Sequence, residues 1–599
     1  MQTQPYCSSR FLSADQMPAR AAVLVNKPLC LFAAICLLSS CTAAWNQQAA
    51  DNASYALIEE KSSLVPGMST QDVVIDKPRQ MTLERFPANT ATFDFLGNLA
   101  NSENGAHIIN LEQALDLAFA LNKDYQLQRE RLYLQALSLT ADRYRYTPIF
   151  SASANSTYAW DANDTFVEDA VALINLPATT IATDERLRSD ATLGTRLFLR
   201  GGGQIALNLT SNFLKFVTGD LDSSASSALV GSFTQPLLRG AGSDIAAETL
   251  MQAERDLLYQ LREFTRYRQT LAVRIATQYY TVLEARDTVR NNFAGLSATL
   301  SSLERERAFQ AEGLRTPGQV GRLEQSSLQR DRAWAQAITR YASALDSFKI
   351  LLGLRADDRL MLDDQEMQRM SEGNLVPPDI TLEQALELTA NNRLDLFTHA
   401  DRIADRARKL DVAANAFQPG LALVLRASVP ANGNNSASLS DLDFRLTDYS
   451  AGLELDVPVD QMSERTAYRR ALIDYDVAVR TYELAVDNAK LGVLDAWRAL
   501  EQAERNYEIS MTSVRINERR VEEAELRAEL GTGNIQDTVD AQNDLINSRT
   551  QLTSAIIDHN VAKLALWRDV GLLIVSDNGQ WQEGSVEPVI PNTGNPTPL

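Results

Sequence analysis

The chain has 599 residues, of which 45% are hydrophobic and 22% are charged, and its formal net charge is −20. Because such an excess of acidic residues repels phosphate backbones, a nucleic-acid partner is not expected. The mean hydropathy is −0.21, and beyond the N-terminal region no apolar run reaches the ~18 residues of a spanning helix, which excludes an ordinary inner-membrane protein.

The N-terminal region has the pattern of a lipoprotein secretion signal. Basic residues precede the apolar segment PLCLFAAICLL, and the motif LSSC, which resembles a bacterial lipobox, ends at Cys41. This order is typical of a cleaved signal peptide. We therefore predict a signal over 1–40 and lipidation of Cys41, and Thr42 in place of an aspartate favours the outer membrane. The alternative is a short buried helix with an incidental cysteine. Translation is expected to begin at Met1 or Met17.

A helical pattern occurs twice along the chain. INLEQALDLA at 109–118 recurs as ITLEQALELT at 380–389, and further matching positions follow at the same offset. Because repeats determine the architecture, we predict two of them, each with a helix, a β segment, a long helix, a break and a shorter helix. They are placed at 107–353 and 380–572, joined by an inter-repeat connection at 354–379.

The β segments are predicted at 149–236 and 420–458, where apolar and polar residues alternate. LALVLRASV at 421–429 and YSAGLELDV at 449–457 are examples. Strands of ~10 residues with one apolar and one polar face, ending near Tyr or Trp, are what a transmembrane barrel requires. A half-buried soluble sheet shows the same alternation and stays open as an alternative.

The first β segment contains extra residues, TLGTRLFLRGGGQIALNLTSN at 192–212. Apolar residues alternate on both sides of a triple glycine, which predicts a hairpin. The hairpin is either an extracellular decoration or a source of two more barrel strands, and we expect a decoration.

The long helices are predicted to have coiled-coil lengths. Residues 237–316 contain no proline and carry apolar residues at spacings of three, four and seven, which is typical of a heptad seam. A helix of ~70 residues would extend ~100 Å. In the second repeat, the corresponding helix breaks at Gly531-Thr532-Gly533.

Motifs for catalysis or metal binding are not found in the sequence. His107, His399 and His559 are the only histidines, and none is near another histidine or a cysteine, whereas zinc and copper sites need clustered ligands. There is no phosphate-binding glycine loop, nucleophile elbow or zinc-protease motif. We therefore predict no catalytic residue, no cofactor and no enzymatic activity.

The doubled LEQAL helix, the strand ending in TQPLLRGAG, the long helices and the GTGNIQDTVDAQN break resemble the TolC-like outer-membrane efflux factor family. The resemblance covers residues ~108 to ~572 and implies an α+β membrane protein of the lipid-anchored type. It implies a homotrimer, with four strands per chain in a twelve-stranded outer-membrane β-barrel continued by a coiled-coil α-helical periplasmic tunnel. Residues 41–106 would lead from the lipid anchor to the first helix, and 573–599 would form an irregular tail.

The same resemblance implies a passive exit duct of a tripartite efflux pump. Its partners would be a periplasmic adaptor protein and an inner-membrane transporter, and its surroundings outer-membrane lipid. Two alternatives are the duct of a type I protein secretion system and a periplasmic coiled-coil scaffold lipoprotein without a pore.

The helix breaks carry the site residues that the resemblance implies. Gly313 and Leu314, with Gly531 and Thr532, correspond to the tunnel tips where an adaptor docks. Glycine can also serve there only as a left-handed helix cap.

Asp537 and Asp540 correspond to the acidic residues at the narrow periplasmic end of the tunnel. Their spacing places both on one helix face, and rings of carboxylates favour cations; two solvated aspartates suited to the helix dipole are the alternative. The chain departs from the family at Gln319, where an acid is usual, and at Gly533, where a basic residue is frequent. We expect the closed gate to be held by fewer ionic contacts, or by different ones.

Overall fold

The computed structural model describes residues 43–68, 73–75, 81–166, 179–216, 224–372, 378–431, 442–530, 535–576 and 578–583. The predicted signal at 1–40 and Cys41 lie outside the described residues, as do Gly531, Thr532 and Gly533.

Helices of very different lengths dominate the structure. In chain order they are α1 (Ala43–Ser62), α2 (Ala100–Glu103), α3 (Leu111–Leu121), α4 (Lys123–Tyr144), α5 (Ser243–Ala246), α6 (Glu248–Ala311), α7 (Pro317–Leu352), α8 (Gln365–Glu372), α9 (Leu382–Asn392), α10 (Leu394–Asn415), α11 (Met462–Glu529) and α12 (Ile535–Val570). Among the residues that the structure describes, no helix has the length and apolarity needed to cross a bilayer.

The strands form one large sheet and two small ones. They are β1 (His107–Ile109), β2 (Ile149–Phe166), β3 (Thr179–Phe198), β4 (Gln204–Phe216), β5 (Ser224–Pro236), β6 (Leu360–Leu362), β7 (Gly420–Pro430), β8 (Asp448–Asp456), β9 (Leu573–Val575) and β10 (Trp581–Glu583). β1 pairs in parallel with β6, and β9 pairs antiparallel with β10.

The two LEQ motifs begin helices of the same length for the same physical reason. The Asn110 side chain accepts the Gln113 backbone N–H at 2.8 Å, and the Gln113 side chain accepts the Asn110 N–H at 3.0 Å. Thr381 and Gln384 form the same capping box before α9. Such a box satisfies two N–H groups that the first helical turn leaves free. α3 and α9 each have 11 residues, and α4 and α10, which follow them, each have 22.

The long helices α6 and α11 have 64 and 68 residues, or about 100 Å at 1.5 Å per residue. The first part of α6 packs against α4, where the Tyr125 and Phe264 rings are 5.5 Å apart. Its later part packs against α7, where the Phe293 and Trp334 rings are 5.6 Å apart. Because α4 and α10 lead into strands of the large sheet, and α6 and α11 follow it, the sheet lies at one end of the bundle. The turns after α6 and α11 lie at the other end.

A buried charged cluster joins the middle of α6 to α2, to α7 and to the segment after β6. We name it the Arg286 clasp, and it consists of Arg286, Glu103, Asp364 and Tyr341. The Arg286 side chain is 1% exposed, and its guanidinium contacts Glu103 at 2.9 Å and Asp364. Tyr341 on α7 donates a hydrogen bond to Glu103 at 2.5 Å. Burial, followed by the negative charge of Glu103, raises the pKa of Tyr341 well above its usual range, so the phenol stays protonated and remains a donor.

The large sheet has six strands in the order β2-β3-β4-β5-β7-β8, and all its neighbours are antiparallel. The hairpin predicted at 192–212 forms the facing ends of β3 and β4, joined by a turn in which Gly202 has φ +88°. The hairpin is therefore part of the large sheet, which goes against the expectation of a decoration. The sheet also has six strands per chain instead of the four that the resemblance implies, so three copies would hold eighteen strands and not twelve.

Candidate functional site

The six-stranded sheet has one apolar face and one polar face, because residues paired across neighbouring strands lie on the same side. One apolar row joins Leu193, Leu209, Leu229 and Val429 across four strands. The whole apolar face includes Phe150, Ala152, Tyr158, Leu193, Ile205, Leu207, Leu209, Leu229, Phe233, Leu423, Leu425, Tyr449, Leu453 and Leu455. The polar face includes Ser151, Asn155, Thr192, Arg196, Asn208, Thr210, Ser232, Arg426, Ser450 and Glu454.

The apolar face of this sheet is uncovered in the single chain. Phe150 is 74% exposed, Tyr449 81% and Leu453 68%. An apolar patch that spans a whole sheet marks contact with lipid or with another protein. In addition, within the described part of the chain, the outer edges of β2 and β8 have no strand partner, and a free edge is a template for pairing with another chain.

The α11 helix has an uncovered apolar surface of its own, which we name the α11 stripe. Its members are separated by nearly whole numbers of helical turns and so lie on one face. Each is between 45% and 61% exposed. The stripe consists of Ile473, Val477, Leu484, Leu491, Ile509 and Ile516. A helix needs a partner along such a seam.

The first helical tip, between α6 and α7, is turned by Gly313. Its φ of +77° lies in the left-handed region, and the next N–H, of Leu314, bonds to the Phe309 carbonyl at 2.9 Å. This is a glycine helix cap. Leu314, which follows it, is 67% exposed, and the Arg315 guanidinium returns to Glu306 at 2.8 Å. The tip therefore presents an apolar side chain on a turn fixed by the cap and an ion pair.

Gln319 has a structural role that sequence reasoning missed. Its Oε1 accepts the Thr316 backbone N–H at 3.0 Å, and Pro317 occupies the first helical position of α7. The signal was present as T-P-G-Q, since a Thr followed three residues later by Gln is the pattern of a capping box. Gln319, which stands where the family usually has an acid, thus caps the N-terminus of α7.

We expect two alanine substitutions near this tip to change the rate of amide hydrogen exchange in opposite directions. Gly313→Ala forces a Cβ into the left-handed region, at a cost of about 1 kcal/mol, and should speed hydrogen exchange of the Leu314 amide about fivefold. Gly321→Ala lies in α7, where an added Cβ meets no atom within 4 Å, and should slow exchange of the first α7 turns because alanine favours helix. Slower exchange in both variants would contradict the cap.

The second tip lies between Glu529, which ends α11, and Ile535, which begins α12. Asp537 and Asp540 both lie on the exposed side of the start of α12. Thr538, between them, is buried and donates to the Ala524 carbonyl of α11 at 3.4 Å. The two aspartates are thus turned away from the contact with α11.

The structure brings Asp540 and Gln319 into one polar groove between α7 and α12, which we name the tip groove. The Asp540 carboxylate accepts a hydrogen bond from Gln536 at 2.9 Å. The groove is lined by Gln319, Arg322, Leu323, Gln325, Ser326, Gln329, Gln536, Val539, Asp540 and Asn543. Arg322 is exposed there and brings a basic group into the groove, whereas Asp537 is not part of the lining.

The chain matches known proteins in sequence over one segment and in fold over most of its length. Residues 385–567 match the family model of the outer membrane efflux protein, and no curated protein sequence matches the chain. The CmeC outer membrane channel of Campylobacter jejuni is 13% identical, with a TM-score of 0.55 over 86% of this chain and 93% of that one. The outer membrane protein VceC of Vibrio cholerae is 14% identical, with a TM-score of 0.54 over 77% and 96% of the two chains.

The open-state MtrE outer membrane channel of Neisseria gonorrhoeae is 14% identical, with a TM-score of 0.51 over 77% of this chain and 88% of that one. These likenesses confirm the resemblance to outer-membrane efflux channels that was drawn from the LEQAL helices, the strand ending in TQPLLRGAG, the long helices and the GTGNIQDTVDAQN break. The chain thus contains an outer membrane efflux protein domain, at residues 385–567, and has the fold of these outer-membrane channels.

Proposed function

We propose that three copies of this chain form the outer-membrane exit duct of a tripartite efflux pump and conduct cargo passively to the exterior. The observation that carries the proposal is the two-faced sheet at one end of a helical bundle about 100 Å long. Strands satisfy their backbone groups in lipid only as a closed barrel. One chain provides six strands, fewer than the ~8 of the smallest membrane barrels, so closure needs further copies.

Two uncovered surfaces support assembly of identical chains. β2 and β8 run in opposite directions, so the edge of β8 in one copy can pair antiparallel with the edge of β2 in the next. The α11 stripe would be buried in the same assembly, along the helical tunnel. A scaffold without a pore would leave the apolar face of the sheet uncovered, which makes that alternative the weaker one.

The adaptor is proposed to dock at the two tips, with Gly313 and Leu314 on one and Gly531 and Thr532 on the other. The inner-membrane transporter would supply the energy through this adaptor. A photo-crosslinker at Leu314 should capture a periplasmic adaptor, identified by mass spectrometry. The same group at Leu328, which is 70% exposed and lies further along α7, is the control. Capture only of the type I secretion adaptor would assign the duct to protein export.

The gate is proposed at Asp537 and Asp540. In three copies they make two carboxylate rings at the narrow end, which favour cations. We expect the double variant Asp537→Asn with Asp540→Asn to lose most of the cation selectivity of single channels in planar bilayers. Asp544→Asn is the matched control, since this carboxylate is ion-paired to Arg520 at 2.7 Å. Unchanged selectivity in the double variant would place the gate elsewhere.

Lipidation of Cys41 is also proposed, upstream of α1. This helix runs beside α4 toward the sheet, with Asp51 near Tyr133 and Glu60 bonded to Arg143 at 3.0 Å. Its first residue therefore lies about 27 Å further from the sheet than Lys61 does, at 1.5 Å per residue. Mass spectrometry of the mature N-terminal peptide tests the modification itself.

A further inference from the structure

The hairpin of β3 and β4 is an integral part of the sheet wall and not an appendage. β3 pairs with β2 from Ile149–Arg196 to Phe166–Thr179, and β4 pairs with β5 from Gln204–Thr234 to Leu214–Ser224. β2 and β5 have no ladder with each other in the described residues. Without the hairpin, the sheet could stay continuous only if β2 and β5 paired directly with each other.

Both faces of the sheet continue through the hairpin. On the apolar side, Leu193 is 50% exposed, Ile205 41% and Leu207 43%, as expected of residues that share the environment of their flanking strands. On the polar side, Arg196 is in the same cross-strand row as Ser232 and Arg426. Two additional barrel strands need an apolar outer face that continues the lipid-facing side of the neighbouring strands. An extracellular decoration has no such requirement.

We propose that this hairpin widens the membrane pore, so that three chains close an eighteen-stranded barrel that passes cargo too wide for a twelve-stranded one. The proposal rests on the trimeric duct proposed above. Six antiparallel strands per chain leave β8 and β2 correctly directed for closure. At ~4.8 Å between strands and a tilt of ~40°, the backbone diameter rises from about 24 Å for twelve strands to about 36 Å for eighteen. After about 6 Å of radius is allowed for side chains, the lumen would admit polar solutes with radii up to about 12 Å instead of about 6 Å.

The cargo class that this width favours is a water-soluble molecule of peptide or oligosaccharide size, because the inward face carries Ser, Thr, Asn and Arg side chains together with Glu454. Small drug-like molecules need no such width.

The test compares the full chain with a shortened one. Joining Thr157 to Ser224 through an Asn-Gly turn removes β3 and β4 and connects two residues that lie in the same cross-strand row and on the same face. Residues 42–599 contain no cysteine, so a single introduced cysteine is the one thiol in this part of the chain that can react. Ser232→Cys places a thiol on the polar face, and Phe233→Cys is the matched control on the apolar face.

Polymer-linked maleimides of increasing size are added from outside. We expect Ser232→Cys to react with reagents up to about 12 Å in radius in the full chain, and only up to about 6 Å in the shortened one. Phe233→Cys should react in neither. The same size limit in both chains would overturn the wide pore. Failure of the full chain to form membrane-embedded oligomers would instead overturn the proposed duct.

A second measurement covers the case in which the shortened chain does not fold. In the full chain, Thr210→Cys should react with water-soluble reagents and Leu209→Cys only with lipid-soluble ones, because the two residues lie on opposite faces of β4. Reaction of both with water-soluble reagents would place the hairpin outside the membrane wall and contradict the proposal.

Discussion

Leu453→Arg is expected to abolish assembly of the channel in the outer membrane. Leu453 lies on the apolar face of β8, paired with Leu423, and is 68% exposed. An arginine that faces lipid near the bilayer midplane costs about 2–4 kcal/mol, and each copy in the oligomer would bear this cost. The expected result is loss of heat-modifiable oligomers from the outer-membrane fraction, with the chain recovered as aggregate or as degradation products.

The neighbouring residue supplies a matched control. Gly452 lies on the polar face, and a Cβ added there meets no atom within 4 Å. Gly452→Arg therefore puts the same charge on the same strand but turns it toward the lumen, and we expect oligomers at the level of the unmodified chain. Equal loss in both variants, or normal assembly in both, would contradict the assignment of the two faces.

Arg286→Met is expected to cause the largest loss of stability in the helical bundle. The substitution leaves Glu103, which is 2% exposed, buried without its cationic partner. Removing one member of a buried ion pair costs about 3–5 kcal/mol. The expected result is a marked fall in the temperature at which a protease cleaves the bundle, measured on the purified oligomer.

Arg290→Met is the control for Arg286→Met, because it removes a positive charge from the same helix but leaves the buried ion pair of the clasp in place. Arg290 also contacts Asp364, at 2.7 Å, but its side chain is 44% exposed. Exposed ion pairs contribute at most about 1 kcal/mol, so this variant should lie close to the unmodified protein. If Arg290→Met were as damaging as Arg286→Met, burial would not be the source of the clasp's stability.

Local signals in the sequence predicted much of the architecture. The repeated LEQAL segments predicted one helix in each repeat, and the structure has two there: α3 and α4 in the first, and α9 and α10 in the second, with 11 and 22 residues each time. The alternating segments predicted strands, and the large sheet lies between Ile149 and Pro236 and between Gly420 and Asp456. The glycine break predicted the turn at Gly313.

Features that depend on distant residues were not predicted. The alternation around the triple glycine indicates a hairpin, but whether β3 and β4 join a larger sheet depends on pairing with β2 and β5, which the hairpin's own residues do not encode. The Arg286 clasp joins residues from four separate segments, and nothing local marks its members. Gln319 is different, because the pattern of a capping box, Thr316 followed three residues later by Gln319, is visible in the sequence. It was missed because the residue was compared only with the family's acid.

The most direct test of the exit duct is the structure of the purified oligomer in lipid nanodiscs, determined by cryo-electron microscopy. We predict three chains, β8 of each paired antiparallel with β2 of the next, and the apolar face with Leu453 turned toward lipid. A sheet that lies outside the bilayer with its apolar face packed on protein, or one whose β2 and β8 edges stay unpaired, would contradict the account.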